Sequence, residues 1–229
     1  MPRPAAAERV PGAKGDAVSA HDGLVAELIV TGRLAGLRGL LWGTGGNLSA
    51  RLDGERFLIT ATGTTLDALT PEDLVVCEVE GSRADTPQTA SSEVQVHRRI
   101  YQRRSDVASV IHLSPFYATL VACQEVALPT DLIPESILYL REIARIPYVA
   151  PGTDALGVAV AEALGEGTTV LMGNHGPVTV GANPAEALRR METVEFLARL
   201  VVTAGAAGIV LRGVGSTAAE ALRRSVYGS

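Results

Sequence analysis

Three histidines and one glutamate stand where a side chain can do chemistry. His112 closes the apolar run of "VIHLSPFYA", His175 sits among turn residues in "GNHGP", and His97 follows Glu93 by four residues in "SSEVQVH". Imidazoles and carboxylates bind divalent metals and move protons near neutral pH. A strand that carries a metal site presents its second ligand two residues on, because alternate side chains share a face. After His112 that position is Ser114. His175, at a strand end, either points into a cleft as ligand or acid/base, or simply fills a turn. Glu93 and His97 lie on one helical face. They form a surface pair behind a helix cap, or a carboxylate base beside a phosphate cradle, since Ser91 and Ser92 can cap a helix and leave amides for an anion. The fourth histidine, His21, lies in a polar helix entry and reads as solvated.

Two small-residue loops precede these segments. In "GTGGNLSAR", Gly43, Gly45 and Gly46 permit close backbone approach to a ligand, and Asn47 adds a donor. In "ITATGTTLDAL", Thr62 and Gly63 form a second such loop. The spacing is neither GxGxxG after a strand nor a P-loop with its lysine, which argues against dinucleotide binding. Both loops also read as ordinary turns.

The elements that must position these residues alternate in type. A helix is expected over 21–41, with Leu24, Leu28, Val30, Leu34, Leu37 and Leu41 on its apolar face. Asp53-Gly54 separates two strand-like runs, a hairpin signal. Thr70 and Pro71 open a helical turn before a strand through Val79. "TASSEVQVHRRIYQRR" predicts a helix with serines at its start, "DVASVIHL" a strand, "SPFYATLVACQ" a helix and "IPYVAPG" a short strand or extended loop. Thr153 caps a helix that closes on glycine. "TTVLMGNHGPVTVG" predicts a second hairpin turning near His175-Gly176. Asn183 and Pro184 open the longest helix, and a short helix ends the chain. Mixed strands and helices with hairpins predict an α/β class, layered α/β/α with a largely antiparallel sheet.

Composition narrows the partners. The chain has 229 residues, 47% hydrophobic but 4% aromatic, so its core is built of Ala, Val, Leu and Ile. A net charge of −5 leaves no basic footprint for nucleic acid. Cys77 and Cys123 form no CxxC pair and suit buried thiols in a reducing cytoplasm. No run reaches membrane-span length, so no membrane partner is expected. The first 19 residues lack a signal-peptide core and read as a mobile tail, with residues 20–229 as a single domain.

The order of the segments adds a further reading. "GGNLSAR", "LITATG", "SSEVQVHRRIY", "VIHLSPFYA" and "GNHGPVTVG" follow one another as the signature segments of the class II aldolase/adducin family do, from about Ala20 to about Gly205. Within it the sequence resembles the sugar-phosphate aldolases of the L-fuculose-1-phosphate type. The resemblance implies a three-layer α/β/α fold with a central, mainly antiparallel sheet, and a C4 homotetramer with sites between subunits. It matches Asn47, Thr62, Gly63, Ser91 and Ser92 to substrate-phosphate positions, Glu93 to the catalytic acid/base, and His112 and His175 to zinc ligands. The implied activity is a cytoplasmic, Zn2+-dependent aldolase, a lyase making or breaking a C–C bond in a small sugar phosphate or keto acid through an enediolate. The family motif at 112–114 is His-x-His, so Ser114 replaces a ligand, and either Glu93 fills the gap or the site takes a different metal or none. At the aldehyde side, Ile133 stands where some relatives place a tyrosine. These departures leave open a switched chemistry (epimerase, dehydratase, decarboxylase or iron oxygenase) or a non-catalytic, adducin-like interaction module.

Overall fold

The computed structural model describes residues 20–81 and 89–228. The expected tail over 1–19 lies outside the described residues. Seven strands, β1 (Asn47–Arg51), β2 (Arg56–Thr60), β3 (Leu74–Glu78), β4 (Ser109–His112), β5 (Ile143–Ile146), β6 (Thr169–Met172) and β7 (Gly176–Gly181), form one sheet in the order β3-β2-β1-β4-β7-β6-β5. Every pairing is antiparallel except β5 with β6. Helices α1 (Ala20–Leu37) and α6 (Pro184–Ala206) cover one face, and α2 (Val94–Arg103) and α5 (Asp154–Leu164) the other. Short helices α3 (Phe116–Ala122) and α4 (Pro134–Tyr139) and the terminal α7 (Ser216–Tyr227) complete the described chain. The chain has the expected three-layer α/β/α fold.

Strand alternation decides what faces each layer. On β1, Leu48 and Ala50 enter the core under α1 and α6, while Asn47 and Ser49 point to the α2 side. On β4, Ile111 joins the α1 side and Val110 the α2 side, which puts His112 with Asn47. The two expected hairpins form, at Asp53-Gly54 and at residues 173–175. Asn183 caps α6, its Oδ1 accepting from Glu186 N at 2.8 Å, and Thr153 Oγ1 caps α5 through Leu156 N at 3.2 Å.

One local expectation is corrected here. Helix α1 ends at Leu37, because Gly39 turns left-handed (φ +69) and Leu40 N donates back to Ala35 O at 3.0 Å. Its buried side is Val25, Leu28, Thr31, Gly32 and Ala35, while Val30 and Leu37 are exposed. Small residues let the loop at Leu66 press on the helix: a Cβ on Gly32 would stand 2.0 Å from Leu66 O. Of the two readings of "IPYVAPG", the extended loop holds beyond Ile146, which ends β5. As expected, Thr70 caps and Pro71 opens a helical turn before β3; it is a 3-10 helix, held by the Asp73 carboxylate accepting from Thr70 N and Oγ1.

Candidate metal centre

A second correction concerns the site. Helix α2 starts at Val94, so its N-cap is Glu93 rather than Ser91 or Ser92, and Ser91 Oγ accepts from Glu93 N at 3.3 Å. Both Ser91 and Glu93 are buried. The bridge between Ala61 and Ala90 sets the Thr62-Gly63 loop beside the two serines.

Three sequence-distant donors meet here. His112 comes from the end of β4, Glu93 from the start of α2 and His175 from the β6–β7 turn, where Asn174 is left-handed (φ +54). Glu93 Oε1 lies 3.0 Å from His175 Nε2, and Glu93 Oε2 lies 3.3 Å from His112 Nε2. Candidate ligand atoms of all three residues lie within 4.8 Å of one another. The 3.0 Å contact lacks hydrogen-bond alignment, and Glu93 Oε1 and His175 Nδ1 are buried without a hydrogen-bond partner. Ligands held about 2.0–2.2 Å from a zinc ion at angles near 90–110° stand roughly 3.0–3.4 Å apart. The two carboxylate–imidazole contacts fall in that range, and an ion would satisfy the orphaned oxygen.

Protonation states suit the same reading. His112 Nδ1–H donates to Pro177 O at 3.0 Å, which leaves Nε2 bare toward Glu93. Burial holds His112 below the ordinary histidine range, so it is an uncharged imidazole at neutral pH. Burial pushes Glu93 upward, but the contact with His175, the neighbouring imidazoles and the Asn47 amide outweigh it and hold the carboxyl at about 2. Because His112 is neutral and the His175 contact is not an aligned hydrogen bond, the Asn47 amide at 3.0 Å is the donor that holds Glu93 ionised. Two imidazoles and a carboxylate form a donor set zinc accepts.

These residues line a cleft of about 230 Å³ together with Asn47, Thr62, Gly63, Ser91, Ser92 and Ser114, while His21 and His97 do not reach it. Thr44, Gly45, Gly46, Ala61 and Thr64 complete the lining, which among the described residues contains no lysine or arginine. Larger clefts of about 780 and 790 Å³ exist elsewhere, but none of the three donors lines them. Ser114 keeps the parity of His112 and reaches the cleft beyond the strand end. Gly46 (φ +100) serves the protein's own backbone rather than a ligand, since a Cβ there would stand 2.8 Å from His112 O. Gly43 lies outside the cleft lining.

His97 is not a surface partner of Glu93. It is fully buried, and its Nε2 lies 2.5 Å from Asn47 Oδ1, while Asn47 Nδ2 donates to Glu93 Oε2 at 3.0 Å. Asn47, matched above to a phosphate position, therefore spends its amide inside the protein. Sequence reading missed Ser49 and Tyr101, which extend this network: Ser49 Oγ lies 2.6 Å from His97 Nδ1 and 2.7 Å from Tyr101 Oη. The signal was present as an i, i+4, i+8 stripe of Glu93, His97 and Tyr101 facing an i, i+2 pair of Asn47 and Ser49.

The chain is similar to known proteins over most of its length. The family model described as Class II Aldolase and Adducin N-terminal domain matches residues 26–202. A 3-oxo-tetronate 4-phosphate decarboxylase from Haemophilus influenzae is 31% identical over 77% of this chain and 85% of that protein. An L-fuculose phosphate aldolase from Methanococcus maripaludis is 32% identical over 76% of this chain and 93% of that protein. The crystal structure of YgbL from Klebsiella pneumoniae superposes with a TM-score of 0.82 at 28% identity, covering 89% of this chain and 99% of that one.

Proposed function

We propose, from the premise that this chain belongs to the class II aldolase and adducin family, that it is a metal-dependent carbon–carbon lyase acting on a small phosphorylated sugar or keto acid. The observation that carries the reading is the convergence of Glu93, His112 and His175 with an orphaned carboxylate oxygen between them. His112 and His175 would hold the ion, with Glu93 as third donor in place of the histidine that Ser114 replaces. A bound divalent ion supplies Lewis-acid stabilisation of the negative charge that develops on the substrate's carbonyl oxygen.

The remaining work falls to the chain itself. Thr62, Gly63, Ser91 and Ser92 would anchor the phosphate through hydroxyls and amides, fixing the reacting carbons near the histidines. Glu93 Oε1, ionised and without a hydrogen bond, would be the third donor in the resting site and, once substrate oxygens take its place, the atom to take up or return a proton. Aldol cleavage needs such a base, to remove the proton from the hydroxyl that becomes the aldehyde. This favours aldolase chemistry. A second reading is decarboxylation of a 3-oxo acid phosphate, in which carbon dioxide departs without a base and one acid afterwards protonates the enolate. It is favoured by the lining, where Glu93 is the sole carboxylate among the described residues. The H. influenzae and M. maripaludis relatives carry one activity each.

Zinc-loaded protein would be incubated with phosphorylated ketoses and 3-oxo sugar-acid phosphates, with products read by mass spectrometry. An aldehyde and a ketose phosphate identify the aldolase, and carbon dioxide the decarboxylase. Glu93→Gln should lower turnover by roughly 100-fold or more. If the protein binds no divalent metal and His112→Ala leaves turnover intact, the proposal is wrong.

A further inference from the structure

We propose that His97 and Asn47 are positioning residues: a one-way hydrogen-bond chain from Tyr101 through Ser49, His97 and Asn47 ties down Oε2 of Glu93 and leaves Oε1 as the free oxygen. The role given to Oε1 rests on the lyase reading above; the chain itself rests on geometry. Its direction follows from one fixed end. The amide nitrogen of Asn47, which only donates, lies 3.0 Å from Glu93 Oε2, so that oxygen accepts. Asn47 Oδ1 then faces His97 Nε2, which must carry the proton. His97 Nδ1 is left bare and accepts from the Ser49 hydroxyl, and Ser49 Oγ accepts in turn from Tyr101 Oη. The alternative acceptor for Ser49, Val110 O, lies at 3.5 Å, the limit of a hydrogen bond.

The chain is also placed to hold its atoms still. His97, Ser49 and Tyr101 are at most 2% exposed. Four residues of helix rise about 6.0 Å and two residues of strand about 6.8 Å, so Glu93, His97 and Tyr101 stay nearly in step with Asn47, Ser49 and Arg51. Arg51 closes the far end, donating to Tyr101 O at 2.8 Å. Burial holds His97 down at about 3, which keeps the ring neutral and able to act as donor on one side and acceptor on the other. A second, cationic donor at Asn47 would compete with the metal for Glu93; a neutral amide restrains one oxygen without adding charge.

The test is long-range 1H–15N correlation of the imidazoles in 15N-labelled full-length protein, with zinc affinity measured alongside by chelator competition. The expected state of His97 is neutral with Nε2 protonated, with and without zinc. In Ser49→Ala, the Nδ1 resonance should move toward that of a nitrogen accepting no hydrogen bond, and zinc affinity should fall about 10-fold. Ser49→Thr, which restores a hydroxyl, should recover both. A His97 ring protonated on Nδ1 overturns the proposal, as does a Ser49→Ala protein whose ring signals and zinc affinity match the wild type. A wild type that binds no zinc would instead sink the metal reading, and the ring state would still decide the chain.

Discussion

Replacing Ser114 by histidine should tighten zinc binding. Ser114 reaches the cleft that holds Glu93, His112 and His175, with the parity that strand geometry gives position i+2 after His112. Room for an imidazole comes from the glycines around it. A Cβ added to Gly176 or Gly45 would lie 3.5 and 3.9 Å from Ser114 Oγ, and in the native chain both positions carry only hydrogen. A third imidazole adds a neutral donor to a set of two imidazoles and one carboxylate. Changing even a residue that only orients a ligand moves metal affinity about 10- to 100-fold, so a new ligand should gain at least about 10-fold, or roughly 1.4 kcal/mol. Competitive chelator titration of both proteins, free of any histidine tag, reads this directly. Glu93→Gln gives an internal check. It should cost more zinc affinity in the native background than beside Ser114→His, because the carboxylate is then one donor of four instead of one of three. Equal affinity of the native and Ser114→His proteins, with equal cost of Glu93→Gln in both, would refute the placement of Ser114 beside the metal centre.

Acid should destabilise the fold through His97. Its pKa is pushed down from 6.5 to about 3, first by burial, so its contribution is complete above pH 6.5 and is lost as pH falls toward 3. The slope is up to about 1.4 kcal/mol per pH unit, or roughly 2 kcal/mol by pH 5. Urea midpoints at pH 7 and 5 should show it, His97→Gln should flatten it, and an unchanged wild-type midpoint would contradict it. Gly46→Ala forces a Cβ to 2.8 Å from His112 O at φ +100, and should cost about 1–3 kcal/mol and weaken zinc binding; a variant of native melting temperature and affinity counts against that contact. Phe196, Ile209, Val210 and Val214 are 52–83% exposed, an apolar surface expected to be covered by other subunits in a tetramer. Light scattering that finds only monomer at micromolar concentration would reject this.

The sequence by itself determined the parts whose signals are local. The Asp53-Gly54 hairpin, the Asn183-Pro184 opening of α6 and the Thr153 cap of α5 each depend on residues within a turn of one another, and each formed. The order of the motifs was enough to identify the family, and Glu93, His112 and His175 were legible as chemistry before any coordinates. Local signals failed where long-range packing competes with them. The leucines of α1 gave the wrong buried side because a loop presses on Gly32, and the start of α2 shifted because Ser91 satisfies the backbone ahead of the helix. The roles of Asn47, Ser49, His97 and Tyr101 were decided only by tertiary structure. Their contacts span 46 to 52 residues, and no spacing within either segment says that β1 will lie under α2. That pairing follows from the sheet order, which places β1 beside β4 so that Asn47 stands opposite His112. A buried amide must then find partners wherever the register puts it, and here those partners are the carboxylate and the imidazole on the facing helix.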